Sequence, residues 1–275
     1  MKTIQLKPSC KDYLWGGEKL RTEYGIQSEM HSLSEAWMLS CHPDGPSYLP
    51  DGTTLQQYID AHPGCLGTDC VKFEEFPILA KLIDAKKDLS IQVHPSNAYA
   101  LEHEHQYGKT EMWYVIDCEP GAYLYCGLSK DVSKEEIEER IANNTITEVL
   151  NRIDVKPGDV VMVKAGTIHA IGAGILICEI QQNSNSTYRM YDYDRRDKFG
   201  NPRELHVAKA LDVVDTKAYV KDENCEVILE KNDAYTLERL VQCKYFECLK
   251  YDIYSEVKIG MDETSFLSVL FISGC

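Results

Sequence analysis

No apolar run in this chain is long enough to cross a membrane. The longest, residues 171–180, falls well short of the roughly 20 residues a spanning helix needs. The stretch Met1-Lys-Thr-Ile-Gln-Leu-Lys-Pro8 also lacks the apolar core of a signal peptide, so a cytoplasmic protein is expected. Positive charge is scarce as well. Twenty-nine Lys and Arg face 44 Asp and Glu, for a net charge of −15. That balance disfavours nucleic acid and anionic membranes as partners, because both attract basic surfaces. No Cys-x-x-Cys pair occurs among the 11 cysteines, and their number is odd. Several, such as Cys118 and Cys178, lie inside apolar runs. Reduced core cysteines are therefore expected, rather than a disulfide framework or a zinc finger. Repeats of fixed period and low-complexity linkers are absent too.

What is present suits a soluble globular protein: 44% hydrophobic and 27% charged residues. The 275 residues suffice for one large domain or two small ones sharing a core. Most apolar segments are short, rich in β-branched or aromatic residues, and bounded by turn residues. Segments 77–83, 90–93, 112–117, 122–126, 160–163 and 175–181 read as strands. Turns fall at His42-Pro-Asp-Gly45, Lys156-Pro-Gly-Asp159 and Phe199-Gly-Asn-Pro202. Helical patterns are fewer: 54–62 with Thr53 or Thr54 as N-cap, 96–104, 133–142 and 204–213. The third opens on a capping box, Ser133-Lys-Glu-Glu136, and its glutamate-rich face is expected to be solvated. Many strands and few helices predict a mainly β fold, a sandwich or jelly-roll barrel. The helix near 204–215 is the expected boundary between two β-rich lobes.

The segment Ser90-Ile-Gln-Val-His-Pro95 carries the most chemistry. Alternate side chains of a strand share a face, so Ser90, Gln92 and His94 point the same way. Glu111 opens the next apolar run, and His169 follows in Lys164-Ala-Gly-Thr-Ile-His-Ala-Ile-Gly172. An amide oxygen, a carboxylate and two imidazoles form a donor set suited to a divalent metal such as zinc. Three cations lie nearby in the sequence. Lys81 sits inside the otherwise uncharged Phe76-Pro-Ile-Leu-Ala-Lys-Leu-Ile83, where a lone buried ammonium is costly. It either snorkels to solvent or faces an anion. Lys109 precedes Glu111 by two residues, and Arg189 lies in an interleaved Tyr, Arg and Asp segment. In so acidic a chain these cations suggest a pocket for a negatively charged ligand. By contrast His103-Glu-His105 reads as surface, since helical residues two apart diverge by about 200°. His31, His42 and His206 read as structural or solvent-facing.

At these residues the sequence resembles the short bacterial type I phosphomannose isomerases, metal-dependent members of the cupin superfamily. The resemblance is carried, in family order, by Leu14-Trp-Gly-Gly17, Leu89-Ser-Ile-Gln-Val-His-Pro95, Gly108-Lys-Thr-Glu-Met-Trp-Tyr114, Ala165-Gly-Thr-Ile-His-Ala-Ile-Gly172, Glu179-Ile-Gln-Gln182 and Thr187-Tyr-Arg-Met-Tyr-Asp192. It implies one zinc ion on Gln92, His94, Glu111 and His169, with Arg189 catalytic and the carbon-bound proton moved by Lys109 or by a metal-bound water. Lys81, Ser90 and Trp15 fall on the substrate side, with the phosphate among Lys81, Ser90 and Lys109. The implied substrate is a phosphosugar, mannose 6-phosphate interconverting with fructose 6-phosphate through an enediol. Three departures stand out. Lys164 replaces a proline of the general cupin pattern, Ala173 replaces a ligand-type residue, and Ser34-Glu-Ala-Trp37 stands where relatives have Gly-Glu-Ser-Trp. Rival readings on the same fold are an iron dioxygenase, whose pocket should be mostly apolar, and a non-catalytic sugar or metal sensor. The implied organisation is a catalytic cupin lobe over 1–203, a connecting helix at 204–215 and an incomplete β lobe over 216–275. Strand-like pieces at 225–229, 246–254 and 266–272 are expected in that lobe, the last leaving an apolar edge.

Overall fold

The computed structural model describes residues 3–196, 199–221 and 225–274; Cys275 lies outside them. The short runs pair into antiparallel sheets, and the chain is mainly β as expected. Strands β1 (Ser9–Lys11), β2 (Glu35–Leu39), β3 (Ile78–Ala85), β4 (Ile91–Val93), β5 (Glu111–Cys118), β6 (Tyr123–Leu128), β7 (Leu150–Asp154), β8 (Val160–Val163), β9 (His169–Ile171), β10 (Ile175–Gln182) and β11 (Tyr188–Tyr191) make two layers. One has the order β1-β2-β3-β10-β5-β8, the other β11-β4-β9-β6-β7. Trp15, Ile83, Trp113, Val115 and Ile177 pack with Leu124, Cys126 and Ile171 to form the core between these layers. A third sheet, β12 (Val227–Lys231), β13 (Tyr235–Gln242) and β14 (Glu247–Ile253), packs Leu240, Val241 and Phe246 on Met112, Val160 and Met162. It therefore covers the opposite side of β5 and β8.

The helices obey their caps. Thr54 closes a reciprocal box with Gln57 at the start of α2 (Leu55–Ala61), after the single turn α1 (Lys19–Thr22). Ser96 caps α3 (Asn97–His103). Ser133 caps α4 (Lys134–Ala142) through the Glu136 N–H. The Glu136 carboxylate turns to Arg140 instead, so only half of the expected box forms. The last helix, α5 (Val207–Val213), starts later than the pattern suggested. Its Ala210 packs with Ile91, Val93 and Met190 behind β4 and β11. Among the described residues no helix is long and apolar enough to cross a membrane, and ten cysteines are free.

Two expectations change in the C-terminal region. Residues 266–272 form no strand. Phe266 instead stacks near Phe76, ring centroids 5.1 Å apart, and Leu270 and Ile272 pack against the cluster around Leu20 and Leu82. Tertiary contacts took this apolar run as a strap rather than a sheet edge. The sequence reading also passed over β13, whose Glu238 and Arg239 interrupt its apolar pattern.

Gly108 shows how tightly the loop before β5 is held. A Cβ there would lie 2.4–2.5 Å from backbone atoms of Pro95, Ser96 and Asn97. The Lys109 N–H donates to the Pro95 carbonyl across the same contact, at 3.0 Å. This closure brings the segment carrying His94 against the segment carrying Glu111. Gly108→Ala is expected to cost about 1–3 kcal/mol, because backbone must move to admit the methyl group. Urea unfolding measures it, and an unchanged midpoint would refute the close approach.

Candidate functional site

Gln92 lies at the centre of β4, and its strand neighbours are His169 on β9 and Arg189 on β11. Cross-strand partners share a face, so these three residues form one row on the five-stranded layer. The facing layer presents a second row, Trp37, Lys81, Glu179 and Trp113, on β2, β3, β10 and β5. Glu111 follows the same face two residues from Trp113. His94, just past β4, completes the junction. The two rows enclose a cavity of about 260 Å³.

His94, Glu111 and His169 are buried, and their ligand-type atoms all lie within 4.8 Å of one another. Glu111 Oε2 is 3.6 Å from His94 Nε2, and Oε1 is 3.5 Å from His169 Nε2. Each imidazole is oriented from behind. His94 Nδ1 donates to the Ser186 carbonyl and His169 Nδ1 to the Thr167 carbonyl, both at 2.8 Å. Those bonds select the tautomer whose Nε2 lone pair faces the junction. His94 Nε2 and both Glu111 oxygens are buried without a hydrogen bond, although Lys109 Nζ forms an ion pair with Glu111 Oε2. Unpaired buried acceptors are costly, and a cation at their meeting point would satisfy all three. The residues thus fit a metal ion. Gln92 Nε2 lies 3.3 Å from His169 Nε2. Gln92 would join the set as an oxygen donor by turning its amide over, which exchanges the two atoms in place.

Beside the triad runs a buried series of alternating charges. Lys109 Nζ is 2.8 Å from Glu111 and 3.6 Å from Glu179. Lys81 Nζ is 3.1 Å from Glu179 and 3.7 Å from Glu35. Indole N–H groups hold two of these carboxylates: Trp113 donates to Glu179 at 3.0 Å and Trp37 to Glu35 at 2.7 Å. Burial alone would lower the Lys81 pKa, but Glu179 and Glu35 outweigh it and push it up to about 12. Burial would likewise raise Glu111, yet Lys109 and His94 hold it well below the usual carboxylate range. Glu179 moves the other way, raised by burial and by the Glu111 charge. Of the two readings for Lys81, the structure selects the anion-facing one, and the anions are the chain's own carboxylates.

Trp15 is buried, stacks on Tyr13 with centroids 5.5 Å apart, and lines the cavity. Ser90 also lines it and accepts from Arg189 Nε at 3.3 Å. Arg189 Nη1 donates to the Glu204 carbonyl at 2.8 Å. His103 and His105 stay outside: His103 stacks on Tyr99, and Glu104 binds Lys209 and the Tyr188 hydroxyl. His42 packs edge-on against Trp37. His206 is tied to Arg189, whose N–H donates to its Nδ1 at 3.2 Å. Sequence reasoning missed Glu35, Glu179 and Arg203 as cavity-lining residues. The rule that flagged Lys81, a charge inside an apolar strand, applies equally to Glu179 in Ile175–Gln182.

The buried imidazoles make the metal-free protein sensitive to acid. Burial, helped by the Lys109 charge, pushes the His94 pKa down from 6.5 to about 3. The unfolded chain therefore binds a proton that the fold excludes. The resulting stability is complete above pH 6.5 and is lost progressively as pH falls toward 3. His169, lowered mainly by burial, acts in the same direction. Glu179 acts oppositely, its stabilisation being lost as pH rises through its raised pKa. Between pH 6.5 and pH 5, His94 alone accounts for about 2 kcal/mol. Chelated protein should unfold at lower urea at pH 5 than at pH 6.5, and His94→Gln should flatten that slope. An unchanged slope in the variant would contradict the burial argument.

Comparison with known proteins agrees with this geometry. Residues 3–116 match the family model for the phosphomannose isomerase type I catalytic domain. Mannose-6-phosphate isomerase ManA of Bacillus subtilis is 37% identical over 273 residues, covering 98% of this chain and 84% of the relative. The crystal structure of a mannose 6-phosphate isomerase from Bacillus subtilis superimposes with a TM-score of 0.84 at 40% identity, covering 92% of this chain and 81% of that one. A mannose 6-phosphate isomerase solved with zinc and yttrium shares the fold, with a TM-score of 0.62 at 17% identity over 86% of this chain and 83% of that one. Identity of this order across nearly the whole chain, on the same cupin fold, makes this protein a member of the type I phosphomannose isomerase family.

Proposed function

We propose that the chain is a metal-dependent mannose-6-phosphate isomerase, interconverting that sugar with fructose 6-phosphate. The observation that carries this reading is the buried His94, Glu111 and His169 cluster, with its orphaned acceptors beside a cation-lined cavity. His94, Glu111, His169 and Gln92 would hold one zinc-type ion, a two-imidazole, carboxylate and amide set. When bound, the metal supplies Lewis-acid stabilisation of negative charge on the sugar oxygens. We assign the chemistry to residues 1–203, with the segment 204–215 behind β4 and β11 and the three-stranded sheet as the accompanying lobe.

The reaction moves a proton between C2 and C1 of the open-chain sugar. Loss of the C2 proton with protonation of the C1 oxygen gives an enediol. Loss of the O2 proton with protonation of C1 then gives the ketose. The carbon acid is weak, so preorganised charge must stabilise the enediolate. Arg189, in the row with Gln92 and His169, provides that charge and assists ring opening. Lys109, 2.8 Å from Glu111, serves as the ammonium that moves a proton at the sugar oxygens. Ser90 and Trp15 bound the sugar, and Lys81 keeps Glu179 and Glu35 in place beneath it. The charged lining disfavours the dioxygenase alternative, whose pocket would be apolar.

Two measurements test this reading. His169→Ala should fold and yet lose the metal; stoichiometric zinc in that variant would refute the ligand set. Purified protein should isomerise mannose 6-phosphate, lose turnover on chelation and regain it when metal is restored. Arg189→Ala should keep its metal and lose about 100-fold or more in kcat. A metal-loaded wild type inert on mannose 6-phosphate would favour the sensor alternative.

A further inference from the structure

The cavity has two ends of different electrostatic character. At the inner end, the ammoniums of Lys81 and Lys109 are already opposed by Glu35, Glu111 and Glu179. Both ammoniums there are already engaged by the chain's own carboxylates, which makes them less available to a phosphate dianion than an arginine with an uncommitted edge. At the mouth the balance reverses. Arg189 and Arg203 line the cavity there with Tyr13, Asn185 and Thr187. Asp192, a buried carboxylate, is shared by two arginines.

Arg203 is oriented more firmly than a surface arginine. Its Nε and Nη2 donate to the two oxygens of Asp192, both at 2.7 Å. Arg195 donates to the same carboxylate. Burial would raise the Asp192 pKa, but Arg203 and Arg195 outweigh it and lower it, so the clamp stays charged. Among the described residues, the remaining Arg203 nitrogen, Nη1, makes no hydrogen bond. Arg189 stands close enough that the Arg203 charge lowers its pKa, after burial the largest influence. Two guanidiniums in mutual repulsion at a pocket mouth, one with a free edge on a fixed fork, are complementary to a phosphate. Tyr13 beside them is pushed up to about 12 by burial and nearby carboxylates, which keeps its hydroxyl a donor.

We propose that Arg203, held in position by Asp192, anchors the substrate phosphate at the mouth of the cavity, so that C1 and C2 point inward to the triad. This rests on the isomerase reading and adds a specificity-determining residue to it. The anchor supplies binding energy remote from the reacting carbons, which orients the chain of the open sugar. Arg189 then spans both ends, touching Ser90 on the inner side and facing the phosphate on the outer.

The test separates binding from turnover. Calorimetry with inorganic phosphate on metal-loaded protein should show binding weakened about 10-fold or more by Arg203→Ala. With mannose 6-phosphate, the same variant should raise KM about 10- to 100-fold while kcat falls much less. Arg203→Lys keeps the charge without the fork and should lie between wild type and alanine. Asp192→Asn, which loosens the clamp, should raise KM with its metal retained. Wild-type phosphate affinity in Arg203→Ala and Arg203→Lys, or a loss confined to kcat, would overturn the anchor. Because phosphate binding needs no turnover, an inactive wild type would count against the isomerase reading, while the Arg203 dependence would still decide the anchor.

Discussion

Burial of five charged side chains in a row, Glu35, Lys81, Glu179, Lys109 and Glu111, is the constraint on which the rest of this molecule depends. Any one of them alone in a β core would cost several kcal/mol. Alternation of sign makes the arrangement tolerable, and it requires β2, β3, β10 and β5 to lie side by side in one register. The indoles of Trp37 and Trp113 add hydrogen bonds to Glu35 and Glu179. Lys81 also sits over the Trp37 ring, 4.9 Å from its centroid, and Lys11 lies over the same ring at 4.7 Å. The aromatic residues of this face therefore act as electrostatic partners as much as hydrophobic filling.

The charge row also explains why the candidate metal cluster joins the two layers. Glu111 belongs to one sheet, while Gln92 and His169 belong to the other. Three carboxylates against two lysines leave an excess negative charge in the core. Raising the pKa of Glu179 is one response of the fold, and a divalent cation at the triad is the other. The backbone carbonyls of Ser186 and Thr167 turn both imidazoles toward that position in advance, so metal binding there would need little reorganisation. On the proposed ligand set, catalysis and packing draw on the same groups. The site cannot be loosened without disturbing the interface between the sheets.

Much of the local structure was legible. Residues 160–163 were read with the bounds that β8 has, and the caps Thr54, Ser96 and Ser133 were written in the sequence. The strands that escaped were short or mixed in character. β9 has three residues, β7 alternates Arg and Asp with Leu and Ile, and β2 begins on Glu35. Their apolar pattern is weak because their stability comes from partners distant in sequence. The run at 266–272 erred the other way: its apolar character suggested a strand, but Phe76 took Phe266 and the Leu20 cluster took Leu270 and Ile272.

The donor set was readable from residue type and strand periodicity, since Gln92 and His94 share a face wherever that strand goes. The sequence by itself determined which residues could ligate and where most of the long strands lie, and it suggested a pocket for an anionic ligand. Tertiary structure decided the pairing. Only the register of β3 against β10 shows that Lys81 meets Glu179. Only the meeting of the Asp192 and Arg203 segments shows an oriented guanidinium at the mouth. Periodicity places a side chain on a face, but electrostatic partnership acts across distances that the chain spans only by folding. A charge's role therefore depends on neighbours that lie as far as 98 residues away along the chain, as Lys81 and Glu179 do.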